Sequence, residues 1–226
     1  MNPENRRDFL GKLTGTAAIL SAGSILNHAQ ANGRLSTITG YEPDPDEWFK
    51  GLRGKHRLVF DCTAPKEIFP FAWPALFIQS NVHSGVSEKD CSAVVVFRSH
   101  ACVYALQDDL WAKYKLGEML KIMDPETKAF AIRNPFWKPK PDDFKIPGLG
   151  ALPLGFSDLQ ALGIMFSVCN IALTVHSAQI AMSLNQDADT IKKEWLAGLI
   201  PEVALMPSGV WALGRAQEHG CGYCYV

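Results

Sequence analysis

The sequence predicts an α/β domain in three layers: a mostly parallel sheet of about five strands with helices on both faces. Three observations predict it. Ala93-Val94-Val95-Val96-Phe97 is an unbroken apolar run, the pattern of a strand covered on both sides. From Ile164 to Val168 apolar residues alternate by two, and from Ile171 onward the spacing changes to three and four, so a strand runs straight into a helix. Along residues 57–226 strand-like runs alternate with helical stretches, which is the order of consecutive βα units.

Each element has a local reason. Asn32 to Gly54 reads as a polar arm with turns at Pro43-Asp44-Pro45-Asp46, tacked to the body by Trp48 and Phe49. Arg57 to Asp61 makes the first strand. Phe71 to Val82 makes a helix, with Trp73, Leu76 and Phe77 on its apolar side. After the strand at 93–97, Leu116, Met119, Leu120 and Met123 are spaced as the core face of a helix over Lys113–Met123, and Lys128 to Arg133 suggests a short strand. Residues 134–158 form a Pro-rich insertion: five prolines exclude regular helix, while Phe136, Trp137, Phe144 and Phe156 give it apolar groups to bury. Beyond the strand and helix around residue 169 come a helix over Thr190–Leu199, a strand over Val203–Met206 and a turn in which Ser208 caps a helix over Val210–Glu218. A last strand runs from Gly222 to Val226.

The N-terminus reads as a leader. Arg6-Arg7 precede Phe9-Leu10, a moderately apolar run extends to Leu26, and Ala29-Gln30-Ala31 supplies a small-x-small cleavage pattern. Paired arginines in this setting indicate a Tat signal peptide over 1–31, export after folding and a periplasmic location. The run is too short and too weakly apolar to span a bilayer, and no later segment does better. With 22 basic and 23 acidic residues, a net charge of −1 and no basic block past the leader, the composition excludes a nucleic-acid partner. Six cysteines, an even number in an exported chain, suggest disulfides of undetermined connectivity.

Cys169 is the residue where chemistry is expected first. It stands at a strand-to-helix junction, beside unpaired amides and the positive end of a helix dipole, a setting that favours thiolate. The alternative is a small buried hydrophobe, the commonest use of a free cysteine. Cys102 also follows a strand end, and His100 with Arg98 lies on the loop between, suited to polarise Cys169 or bind an anion. Cys221-Gly222-Tyr223-Cys224 spells C-x-x-C, but no helix follows to stabilise a thiolate, so dithiol redox chemistry is disfavoured. A Cys/His metal site drawn from His219, Cys221, Cys224 and partners such as His100, Cys102 or His176 stays open; His176 is by default a satisfied histidine. No dinucleotide fingerprint, P-loop or nucleophile elbow occurs, and no cofactor is expected.

Gly163 to Leu173, Val203-Ala-Leu-Met-Pro-Ser-Gly-Val-Trp through Gly220, and Ala93 to His100 together resemble the DsrE/DsrF-like family. The resemblance covers most of 55–226 and implies a Rossmann-like domain in a homo-oligomer. It implies a sulfur relay in which Cys169 holds sulfane sulfur between donor and acceptor thiol proteins; Cys102, an addition to the family pattern, is expected on its position to assist or resolve. A non-catalytic oligomeric module binding a small ligand or a protein in the same strand-end cleft is the competing expectation.

Overall fold

The computed structural model describes residues 44–226; the leader at 1–31 and the first part of the arm lie outside them. The chain enters through a 3-10 turn, Pro45–Gly51, in which the Asp44 carboxylate accepts the Asp46 N–H and Phe49 is buried, as the arm's apolar pair predicts. It then runs through β1 (His56–Cys62), α1 (Phe69–His83), β2 (Cys91–Phe97), α2 (Asp108–Tyr114), α3 (Leu116–Leu120), β3 (Lys145–Ile146), β4 (Gly150–Ala151), α4 (Phe156–Ala161), β5 (Ile164–Cys169), α5 (Asn170–Leu184), α6 (Ala188–Ala197), β6 (Ala204–Met206), α7 (Gly209–Glu218) and β7 (Gly222–Tyr225).

The main sheet has five strands in the order β6-β5-β2-β1-β7, all parallel, so the α/β three-layer architecture is as predicted. Side-chain alternation sorts the layers. Phe60, Val95, Phe97 and Phe166 point to one face and pack with Phe71 and Ile78 of α1 and Leu173 and Ile180 of α5. Val59, Val94 and Val96 point to the other, against Ala212, Leu213 and Ala216 of α7 and Phe49 of the entry turn. Every residue of β2 is buried, as its unbroken apolar run requires. The connection leaving β5 turns to the first face and that leaving β6 to the second, so the topological switch point lies between these strands.

Four expectations are corrected. The helix over 113–123 is two short helices, broken where Lys115 takes a left-handed conformation, and Met119 and Met123 are exposed. Residues 128–133 form no strand; Phe130 makes one isolated bridge to Met123. On α1 the buried face carries Phe71, Ala75 and Ile78, while Trp73 and Leu76 are exposed, because the helix is apolar nearly all round and its spacing does not choose a side. All six cysteines are free thiols. Cys221 and Cys224 join opposite cores, a consequence of the two-residue strand period, and the molecule is held by aromatic packing instead.

That packing absorbs the insertion. Phe136 stacks on Phe71 at 3.7 Å and on Phe144 at 4.8 Å, and Phe156 lies against Phe166 at 4.7 Å. Asn134, 1% exposed, donates to the carbonyls of Tyr104 and Leu106 and accepts the Phe136 N–H, pinning the start of the segment. Its only regular pairing is the two-residue hairpin β3–β4. The prolines exclude helix only up to Pro153; α4 begins at Phe156.

Candidate functional site at the strand ends

The carboxyl ends of β1, β2 and β5 carry Asp61, Arg98 and Cys169 around one point, and Tyr223 reaches Asp61 from the first half of β7. Cys169 closes β5 and serves as the N-cap of α5, its Sγ accepting the Ala172 N–H at 3.2 Å. The contact fixes the sulfur at the amino end of α5, in the place an N-cap side chain takes. At 7% exposure the residue is nearly covered.

Arg98 leaves β2 on the α7 side of the sheet and grips Asp61 in a fork, Nε to Oδ1 at 2.6 Å and Nη2 to Oδ2 at 2.8 Å. The Asp61 side chain is 1% exposed and also accepts the Tyr223 hydroxyl at 2.7 Å. The hydrogen bond to Asp61 raises the Arg98 guanidinium above its ordinary value, and the negative charge that Cys169 can carry adds to the same effect. Asp61 likewise pushes the Tyr223 phenol up, by its hydrogen bond first. The aliphatic stem of Arg98 lies on Gly209, where a Cβ would come within 2.6 Å of it, so glycine lets the first turn of α7 close on the arginine. Ser208 caps that helix as the sequence predicts, its Oγ accepting the Trp211 N–H.

Cys102 lies in the 3-10 segment Ser99–Ala105 and is fully buried. Burial first, and the neighbouring Cys169 second, push its thiol far up, so it is a wall of the site and holds its proton. His100 is exposed and sits over His176, ring centres 4.9 Å apart. His176 hydrogen-bonds Gln179 at 3.1 Å; burial, then His100, lower its basicity, so two adjacent cations are avoided. The loop that presents His100 turns at Ser99, which takes a positive φ of 48°. Among the described residues no three His, Cys, Asp or Glu side chains are placed to hold a metal. His219 is instead stacked on Phe49 and faces Asp46 at 3.3 Å, which removes it from Cys221 and Cys224 as a ligand set.

Sequence reasoning brought forward Cys169, Cys102, His100 and Arg98, and missed Asp61 and Tyr223. The signal for Asp61 was a lone carboxylate at the end of an apolar strand, Leu58-Val59-Phe60-Asp61. It missed open space as well. A cavity of about 510 Å³, which Cys169 does not line, lies between the insertion and the segments 65–68 and 121–128.

No family model and no curated protein matches the chain. Among solved structures, a protein of unknown function from Methanobacterium thermoautotrophicum is similar at 18% identity with a TM-score of 0.34, over 76% of this chain and 99% of its own.

Proposed function

We propose that the chain is a DsrE-like carrier of sulfane sulfur, with Cys169 as the carrying thiol. The observation that supports it most is the Ala172 N–H donated to the Cys169 Sγ at the head of a 15-residue helix. In the forward step the Cys169 thiolate attacks the outer sulfur of a donor persulfide. The new S–S bond forms on Cys169, the donor's own S–S bond breaks, and the donor leaves as a thiolate. An acceptor thiolate then attacks the outer sulfur of the Cys169 persulfide and releases the Cys169 thiolate, with no net oxidation. Arg98, tethered to Asp61, supplies positive potential without itself moving. Cys102 takes no covalent part in this scheme, because its thiol stays protonated. The proposal carries its context with it: a homo-oligomer exported through the twin-arginine leader, meeting donor and acceptor thiol proteins in the periplasm.

A second reading draws on the 7% exposure of Cys169, which suits a binding module in which the residue is packing. Intact-mass measurement after incubation with polysulfide separates the two. A sulfur adduct present in the wild type and in Cys224→Ser but lost in Cys169→Ser supports the carrier. An adduct unaffected by Cys169→Ser, or no adduct at all, leaves the binding module.

A further inference from the structure

The cavity beside the insertion has the properties of a ligand site, and the sulfur proposal does not use it. Its volume of about 510 Å³ falls inside the range of about 300–1,000 Å³ typical of small-molecule pockets. Its deep part is apolar and aromatic: Phe136, Phe144 and Ile122 are buried, and Phe136 and Phe144 lie parallel to each other, 3° between their planes. Tyr104, 1% exposed, also lines it, and its hydroxyl makes no hydrogen bond to any described residue. Burial pushes that phenol far up, so it stays a neutral donor at every physiological pH. The hydroxyl opens on the cavity rather than being sealed away, and an oxygen brought in by a ligand can take its hydrogen bond.

The rim is charged, and its charges divide into used and unused. Asp143 is consumed by the Arg133 guanidinium at 3.0 Å and the Lys140 N–H at 2.9 Å. Lys145 is paired with Asp142 at 3.0 Å. Lys121 and Lys128 form no ion pair with any described residue, and Glu67 is the other carboxylate of the lining besides Asp143. Both lysines sit on a rigid turn. Each takes a φ of 56°, and the Asp124 carboxylate between them accepts the N–H groups of Glu126 and Thr127 while holding Arg133 at 2.8 Å.

We infer that this cavity binds a small carboxylic acid with a flat aromatic body and a further acceptor oxygen. The carboxylate meets the ammonium groups of Lys121 and Lys128 at the mouth. The body lies beside Ile122 and along the edges of the stacked Phe136 and Phe144, and the second oxygen takes the Tyr104 hydroxyl. The Pro-rich insertion thereby gains a purpose, since it forms one wall of the site.

The test uses 6-methoxy-2-naphthoate, which carries the carboxylate at one end of a flat body and an acceptor oxygen at the other, and 6-methoxy-2-naphthamide, which lacks only the charge, titrated calorimetrically against the full chain. The acid binds saturably and at least about tenfold tighter than the amide, the equivalent of one charge-assisted hydrogen bond. The Lys121→Gln/Lys128→Gln variant removes that preference and leaves amide binding unchanged. Tyr104→Phe, which keeps the ring packing, weakens acid and amide alike by a few-fold. Equal binding of acid and amide, a preference that survives the double lysine variant, or no saturable binding of either compound overturns the inference.

Discussion

The two sites on this domain stand in opposite states. At the strand ends, Asp61, Arg98 and Tyr223 complete one another's hydrogen bonds, and Cys169 is nearly covered. Beside the insertion, Tyr104, Lys121 and Lys128 line open volume, and their side chains make no ion pair or hydrogen bond to any described residue. The first region is built into the sheet, where the pairing of β1 with β2 and β7 sets its groups side by side. The second is assembled by an appended segment that closes over a gap. Polar groups satisfied within the fold serve position and potential, whereas those left unsatisfied in a preformed hollow await something from outside. The rule that ligands bind at strand ends led to the first region and says nothing about the second.

The contrast breaks most visibly through charge removal. Arg98→Met strands the Asp61 carboxylate, 1% exposed, with only Tyr223 to support it. A buried charge that loses its partner costs about 3–5 kcal/mol, and the lower figure applies because Arg98 itself is partly open to water. Urea denaturation reads the loss, and the Asp61→Asn/Arg98→Met double variant recovers much of it. Lys128→Gln at the cavity rim stays within about 0.5 kcal/mol of wild type. Equal costs for the two single variants would erase the distinction between a completed and a waiting site.

A smaller effect sharpens the insertion side. Gly117 of α3 lies so close to the next segment that a Cβ would come within 2.1 Å of the Ala131 carbonyl oxygen, a backbone atom that cannot swing away. Gly117→Ala therefore shifts the Lys121–Arg133 turn, at about 1–3 kcal/mol. The shift distorts the cavity mouth and leaves Cys169 as it was. Thermal denaturation, together with probe binding to the cavity, checks both halves.

The sequence made the sheet legible because strand and helix periods are local properties: an unbroken run gave β2, and the change of period at Ile171 gave the β5–α5 junction. It also made Cys169 legible, since a junction of that kind marks a helix N-terminus. Lys115 breaks a helix by adopting a left-handed conformation that no residue type there announces, so one helix was expected where two stand. Asp61 and Arg98 are far apart in the chain and meet only through parallel pairing of β1 with β2. The cavity was less legible still. Empty volume has no residue of its own, and Tyr104, Lys121 and Phe136 acquire a common purpose only once Asn134 has pinned the insertion down.

Acid separates the two regions next. Burial alone would raise the Asp124 carboxyl, yet the N–H groups of Thr127 and Glu126, with Arg133, outweigh it and hold the group below its ordinary value. A carboxyl lowered by folding adds stability above its unfolded value of about 3.9, and that stability fades as pH falls through the folded value. Asp124→Asn is accordingly about 1 kcal/mol less stable than wild type near neutrality. The gap narrows as pH falls through the lowered folded value of Asp124, beyond which both chains carry a neutral side chain. A constant gap across the acid range would show that the turn under the cavity is held by shape rather than by charge.

The smallest effect bears on Cys169 itself and divides its structural from its chemical role. As N-cap of α5 the thiol accepts one amide, and serine fills that position at least as well. Cys169→Ser thus keeps full stability in urea, whereas Cys169→Ala loses about 0.5–1 kcal/mol with the cap. Sulfur loading responds differently: both variants abolish it, since neither hydroxyl nor methyl can form a persulfide. A loss of loading in the serine variant without any loss of stability assigns the thiol to chemistry. Unchanged loading in that same variant, with the alanine variant destabilised, reduces residue 169 to the cap that holds β5 to its helix.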